Sequence, residues 1–89
     1  MARMADKILY HPNFESAFRA LSKSIQEKAI AKEALFRENI FHPLLKTHKL
    51  KGRLSGLYSF SVDFQYRILF KFFKNSVIFI DIDNHDLYK

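Results

Sequence analysis

Apolar positions recur at helical spacing in the first half of the chain and at every second position in the last third. Phe14, Phe18, Leu21 and Ile25 fall three or four residues apart, which predicts a helix with one apolar face. Lys7 to Tyr10 precedes it as a short strand, with Pro12-Asn13 read as a stop followed by an N-cap. Ser24-Ile25-Gln26-Glu27 has the form of a capping box and predicts a second helix running through Ala29, Leu35 and Phe36 to about Asn39, before His42-Pro43. From Leu57 the period is two. Tyr58, Phe60 and Val62 alternate with Ser59, Ser61 and Asp63, then Tyr66, Ile68, Phe70 and Phe72 alternate with Arg67, Leu69 and Lys71. After a Lys74-Asn75 turn, the run from Val77 to Ile82 predicts a central strand covered on both faces.

These elements predict an α+β fold in the order β-α-α-β-β-β, a small, mainly antiparallel sheet with two helices packed on one face. Two helices cover only one face of such a sheet, so Arg67, opposite in parity to the core positions, is expected on an open polar face. No repeat, low-complexity tract or linker divides the chain, and residues 1–89 are expected to form one domain with a flexible stretch at 1–6. The order excludes the RNA-recognition motif, which reads strand, helix, two strands, helix, strand and carries a Gly-aromatic signature on an inner strand.

Composition narrows the class further. A chain of 89 residues buries only about 60 to 65% of its unfolded surface, so stability is expected to be modest, although 48% hydrophobic residues and ten Phe can build a core. There is no cysteine, hence no disulfide framework and no thiolate metal site, in keeping with a reducing cytosol. The N-terminus lacks a signal-like apolar stretch, and the longest apolar run, Val77 to Ile80, is far below the roughly 18 residues of a membrane span. A soluble cytoplasmic protein is expected. The net charge of +6 suits a polyanion, whether nucleic acid or an acidic protein, but is also ordinary for a soluble basic surface. Its distribution says more: Lys46, Lys49, Lys51 and Arg53 cluster around His48.

Candidate chemistry follows from that cluster. When a ribose 2′-OH attacks its own phosphate, the site needs a base, an acid for the leaving oxygen and a cation for the charge that develops between them. His48, His85 and Arg67 can fill those posts. His48 among lysines is expected to favour its neutral form, and His85 within Asp81-Ile82-Asp83-Asn84-His85-Asp86 its charged form. Each has a plainer reading. His48 could be a solvated loop residue, Arg67 could pair with Asp63, and His85 could belong to a capped chain end or to a metal site with Asp81 and Asp83. Tyr88 could stack on a base or pack the C-terminus. His11 and His42, each before a proline, read as turn residues.

Three segments carry a resemblance: His48 through Ser59, which runs H-K-L-K-G-R-L-S-G-L-Y-S; Tyr66-Arg67-Ile68-Leu69-Phe70; and the ending Asp81-Ile82-Asp83-Asn84-His85-Asp86-Leu87-Tyr88. In that order they resemble the RelE/ParE superfamily of toxins from type II toxin–antitoxin pairs, and within it the RelE, YafQ and YoeB messenger-RNA interferases. The resemblance implies a ribosome-dependent endoribonuclease that cleaves mRNA in the ribosomal A site, where it meets ribosomal RNA, without metal or other cofactor. It implies His48 as base, His85 as acid and Arg67 at the scissile phosphate. Lys46, Lys49, Lys51, Arg53, Lys71 and Tyr88 are the candidate RNA-binding residues. The implied partner is an acidic antitoxin, with DNA contacted only indirectly through the antitoxin complex and no membrane involved. This chain departs from YafQ-like proteins in having Ser61 where they carry a further histidine, and Gln65 at a neighbouring acidic position. A ParE-like protein that inhibits DNA gyrase without cleaving RNA, or a degenerate toxin that only binds antitoxin, are the alternatives.

Overall fold

The computed structural model describes residues 7–84. The expected flexible segment 1–6 and the candidate site residues His85 and Tyr88 lie outside the described residues. Strand β1 (Ile8–Tyr10) leads into helix α1 (Pro12–Arg19) and helix α2 (Lys23–Glu38). A two-residue strand β2 (His48–Lys49) follows, then β3 (Tyr58–Ser61), β4 (Tyr66–Phe73) and β5 (Ser76–Asn84). The sheet order is β1-β5-β4-β3-β2, with β1 parallel to β5 and every other pair antiparallel. The α+β architecture predicted by the alternating patterns is therefore present, with one strand more than expected because His48 and Lys49 pair with Ser59 and Tyr58.

The helix starts differ from the expected ones in an instructive way. His11, not Asn13, caps α1: its Nδ1 accepts from the Asn13 N–H at 3.0 Å, and Pro12 takes the first helical position, where no amide donor is needed. His42 repeats the device, its Nδ1 accepting from the Leu44 N–H at the start of a 3-10 turn over Pro43–Leu45. Ser22, not Ser24, caps α2, with its Oγ 3.3 Å from the Ile25 N–H. The apolar spacing through Ile25 thus crosses a break between two helices rather than tracing one.

Both helices press on one face of the sheet. Phe36 of α2 is fully buried, stacked on Phe60 at 4.7 Å between ring centroids and edge-on to Phe70 and Phe79, while Phe14 of α1 meets Phe79 edge-on at 5.4 Å. Aromatic pairs in such offset or edge-on geometry add to the burial of their large surfaces. Core positions on β5 are Val77, Phe79 and Ile82, a spacing of two and then three that marks an irregularity opposite Leu69 and Phe70. This corrects the expectation of an apolar strand covered on both faces: β5 is interior to the sheet, yet Asp81 and Asp83 lie on the face away from the helices, opposite Leu69 and Arg67. That second face is not simply open and polar either, because Ser59 and Leu69 on it are buried.

Candidate functional site

The loop entering the sheet fixes His48. Thr47 Oγ1 donates to the Ile40 carbonyl at 2.6 Å, and Lys46 takes a left-handed conformation at φ 51° as its N–H closes on the Pro43 carbonyl. The chain then turns into β2, where His48 is exposed and its Nδ1 lies 3.1 Å from the Lys46 carbonyl. A carbonyl can only accept, so this bond places the proton on Nδ1 and leaves Nε2 of the neutral ring as a free acceptor. That is the form a general base requires. His48 is thus an edge-strand residue with a set tautomer rather than part of an irregular loop.

Arg67 is placed by the β3–β4 hairpin. Asp63 Oδ1 accepts from the N–H groups of Gln65 and Tyr66, each at 2.8 Å, and Ser61 Oγ donates to the Asp63 carbonyl at 2.7 Å. Burial pushes the Asp63 carboxyl pKa up, but these two amide donors and Lys28 Nζ at 3.6 Å outweigh it and hold the carboxyl below its ordinary value. The tight turn sets Ser61 opposite Arg67 and Ser59 opposite Leu69. Arg67 is half-buried, which lowers its pKa, and its Nη1 donates to Ser59 Oγ at 3.4 Å. Guanidinium basicity is so high that the group stays charged regardless.

One face therefore carries His48, Ser59, Ser61, Arg67, Lys71, Asp81 and Asp83 on four neighbouring strands. Burial raises the pKa of Asp81; the Ile82 N–H opposes this and the charge of Asp83 adds to it. The basic cluster read from sequence is divided. Lys49 pairs with Tyr58, whose ring stacks on Phe70, so Lys49 stands on the helix side of the sheet edge, opposite to His48. Lys46, Lys51 and Arg53 are exposed in the loops flanking β2, and Lys71 is exposed on β4. Ser59 is the neighbour of Arg67 that sequence reasoning did not single out, although their shared parity was visible in the alternation, and Asp83, read there only as a possible metal ligand, is the cross-strand partner of Arg67.

A second feature lies on the helix side. A groove of about 300 Å³ between α1 and α2 is lined by Phe14, Phe18, Ala29, Ile30 and Phe79, with Glu15, Arg19 and Glu33 among its polar members. Tyr10 OH donates to Glu33 at its end, and Arg37 reaches the same hydroxyl. No helix among the described residues is long and apolar enough to cross a membrane.

No protein-family model matches the sequence, and no curated protein matches it. Solved structures do match. The Escherichia coli DinJ-YafQ toxin-antitoxin complex aligns with TM-score 0.74 at 17% identity, over 94% of this chain and 97% of its counterpart. The YoeB/ParE toxin from Agrobacterium tumefaciens aligns with TM-score 0.73 at 17% identity, over 89% and 98%. The YoeB-YefM complex from Staphylococcus aureus gives 0.68 at 24% identity, over 94% and 99%. Nearly whole-length agreement in both directions fixes the architecture: this chain has the fold of the YafQ and YoeB toxins, the RelE-like fold that its sequence resemblance implied.

Proposed function

We propose that this protein is the toxin of a type II toxin–antitoxin pair and a ribosome-dependent endoribonuclease. The observation that carries the proposal is the placement of His48 and Arg67 on one sheet face, with a His48 tautomer suited to accept a proton, in a fold shared with YafQ and YoeB. In this reading His48 Nε2 takes the 2′-OH proton and the freed oxygen attacks the adjacent phosphorus. Arg67, with Lys51, stabilises the charge that builds on the phosphoryl oxygens. His85 protonates the departing 5′-oxygen. The products are a 2′,3′-cyclic phosphate and a 5′-OH, and the reaction uses no metal. Lys46, Lys49, Arg53 and Lys71 grip phosphates of mRNA or ribosomal RNA, and Tyr88 stacks on a base.

The partner in this reading is an acidic antitoxin, disordered in part when free, whose amphipathic segment seats in the groove between α1 and α2 and whose charge offsets the basic surface. Mapping RNA ends by primer extension on a translated message, with purified protein and programmed ribosomes, tests the assignment. Discrete cuts within A-site codons are expected. Intact message together with blocked gyrase supercoiling would instead favour the non-cleaving, ParE-like reading.

A further inference from the structure

We propose that Ser59 is a positioning residue that aims Arg67 at His48, an inference that rests on the nuclease reading above. Ser59 is fully buried, the one buried polar residue among those described. On one side it is the direct cross-strand partner of His48, and on the other its hydroxyl accepts from Arg67 Nη1. Arg67 is not opposite Ser59 but opposite Ser61, so its side chain leans along the diagonal of the β3–β4 pair, a reach that long side chains can make. The lean carries the guanidinium toward β2 and into the row of His48.

A competing attraction lies on the other side. Asp83 of β5 is the direct partner of Arg67, and a carboxylate attracts a guanidinium more strongly than a hydroxyl does. Ser59 bonds the cation on the β3 side, and Asp83 is the acidic residue across the β4–β5 pair toward which it would turn. Without the hydroxyl, the half-buried guanidinium loses an acceptor on the β3 side and moves toward β5, leaving the scissile phosphate with His48 but without its cation. A misplacement of this kind in a catalytic array is large enough to cost about 10²-fold in rate.

The test is single-turnover cleavage of ribosome-bound message by Ser59→Ala, Ser59→Ala/Asp83→Asn, Arg67→Ala and Ser59→Ala/Arg67→Ala, each checked by thermal melt. Expected results are a loss of about 10²-fold for Ser59→Ala with KM little changed, partial recovery when Asp83→Asn is added, and no further loss when Ser59→Ala is placed on Arg67→Ala. The Arg67 Nε–H resonance should shift in folded Ser59→Ala. If Ser59→Ala does not fold, Ser59→Cys, near in volume but a weaker acceptor, should show the same pattern. Full activity of Ser59→Ala beside an inactive Arg67→Ala would overturn the positioning role alone. Full activity of Arg67→Ala would overturn the assignment of Arg67 and this inference with it. An equal loss from Ser59→Ala with and without Arg67 would show a merely structural serine.

Discussion

Arg67 on β4 and Asp83 on β5 are direct cross-strand partners on the sheet face away from the helices. A phosphate approaching Arg67 therefore also approaches a carboxylate, with Asp81 one position further along the same face. Like charge beside a phosphate site weakens binding by an amount that salt screens.

Asp83→Asn should accordingly tighten RNA binding several-fold at low ionic strength, with the gain shrinking as salt rises. Filter binding of an uncleavable 2′-O-methyl message across a salt series measures this. Weaker binding at every salt concentration would show that Asp83 supports the RNA face rather than opposing it.

His48 is exposed on an edge strand and makes its bond through Nδ1 to a backbone carbonyl, so replacing it removes little packing. His48→Ala should leave the melting temperature within a degree or two while lowering cleavage by about 10² to 10⁴-fold, the usual contribution of a positioned base. His85→Ala is expected to match it. Combining the two should cost far less than the product of the single losses, because groups that act as one unit are not additive. A folded, fully active His48→Ala would remove the base assignment.

The fold was largely legible because three physical signals agreed. Phe60 and Phe70 stand on the core face where period-two alternation puts them, Phe14 and Phe36 supply the helical faces, and proline marks the entries to α1 and to the 3-10 turn at Pro43–Leu45. What escaped were features set by pairing rather than by pattern. Two residues, His48 and Lys49, show no periodicity, so β2 exists only because β3 offers it an edge. The same pairing sends Lys49 to the side opposite His48, which a count of nearby lysines could not show. Burial of Ser59 was hidden for a related reason: alternation assigns a residue to a face, and only the packed structure says whether that face is wet. Histidine capping was illegible because imidazole is an uncommon cap, and Ser24 and Asn13 offered more familiar ones.

Asp63 and Asp81 should give opposite pH signatures. Asp63 has a lowered pKa in the fold, so its stabilisation is present above the unfolded carboxyl value, about 3.9, and is lost as pH falls through the lower folded value. Asp63→Ala should therefore lower the melting temperature near neutrality and much less in acid. Asp81 has a raised pKa, so its ionisation costs stability as pH rises through the folded value. Asp81→Asn should melt higher than wild type near pH 7, with the difference closing in acid. Thermal melts of both variants between about pH 3 and about pH 8 would test the signs, and parallel profiles would refute them.

Gly56 has φ +93°, with open space where a Cβ would sit. Any penalty for a side chain there is conformational rather than steric crowding from neighbours. Gly56→Ala should destabilise the chain by about 1–2 kcal/mol, since L-residues resist this region. It should also displace the loop that carries Lys51 and Arg53. Denaturant unfolding measures the first effect, and a fall in RNA affinity reports the second.

Ile30 separates the two faces of the molecule. It is 57% exposed on α2 and lines the groove between the helices, whereas His48 and Arg67 belong to the opposite side of the sheet. Its neighbour Ala29 is buried, so the helix is anchored without it. Ile30→Glu therefore adds a charge to an already exposed position and should leave the melting temperature and ribosome-dependent cleavage close to wild type. In the proposed complex, an apolar anchor of the acidic antitoxin would meet that new carboxylate in the groove, where an unpaired buried charge and like-charge repulsion act together. Antitoxin affinity should fall by at least about tenfold, as for truncation of a central interface contact. Under the proposed function, co-expression of the antitoxin would then restore less growth to cells producing Ile30→Glu than to cells producing the unsubstituted protein. Titration calorimetry with purified antitoxin measures the affinity directly. Unchanged affinity would place the antitoxin elsewhere, and loss of cleavage with affinity intact would mean that the helix face communicates with the catalytic one.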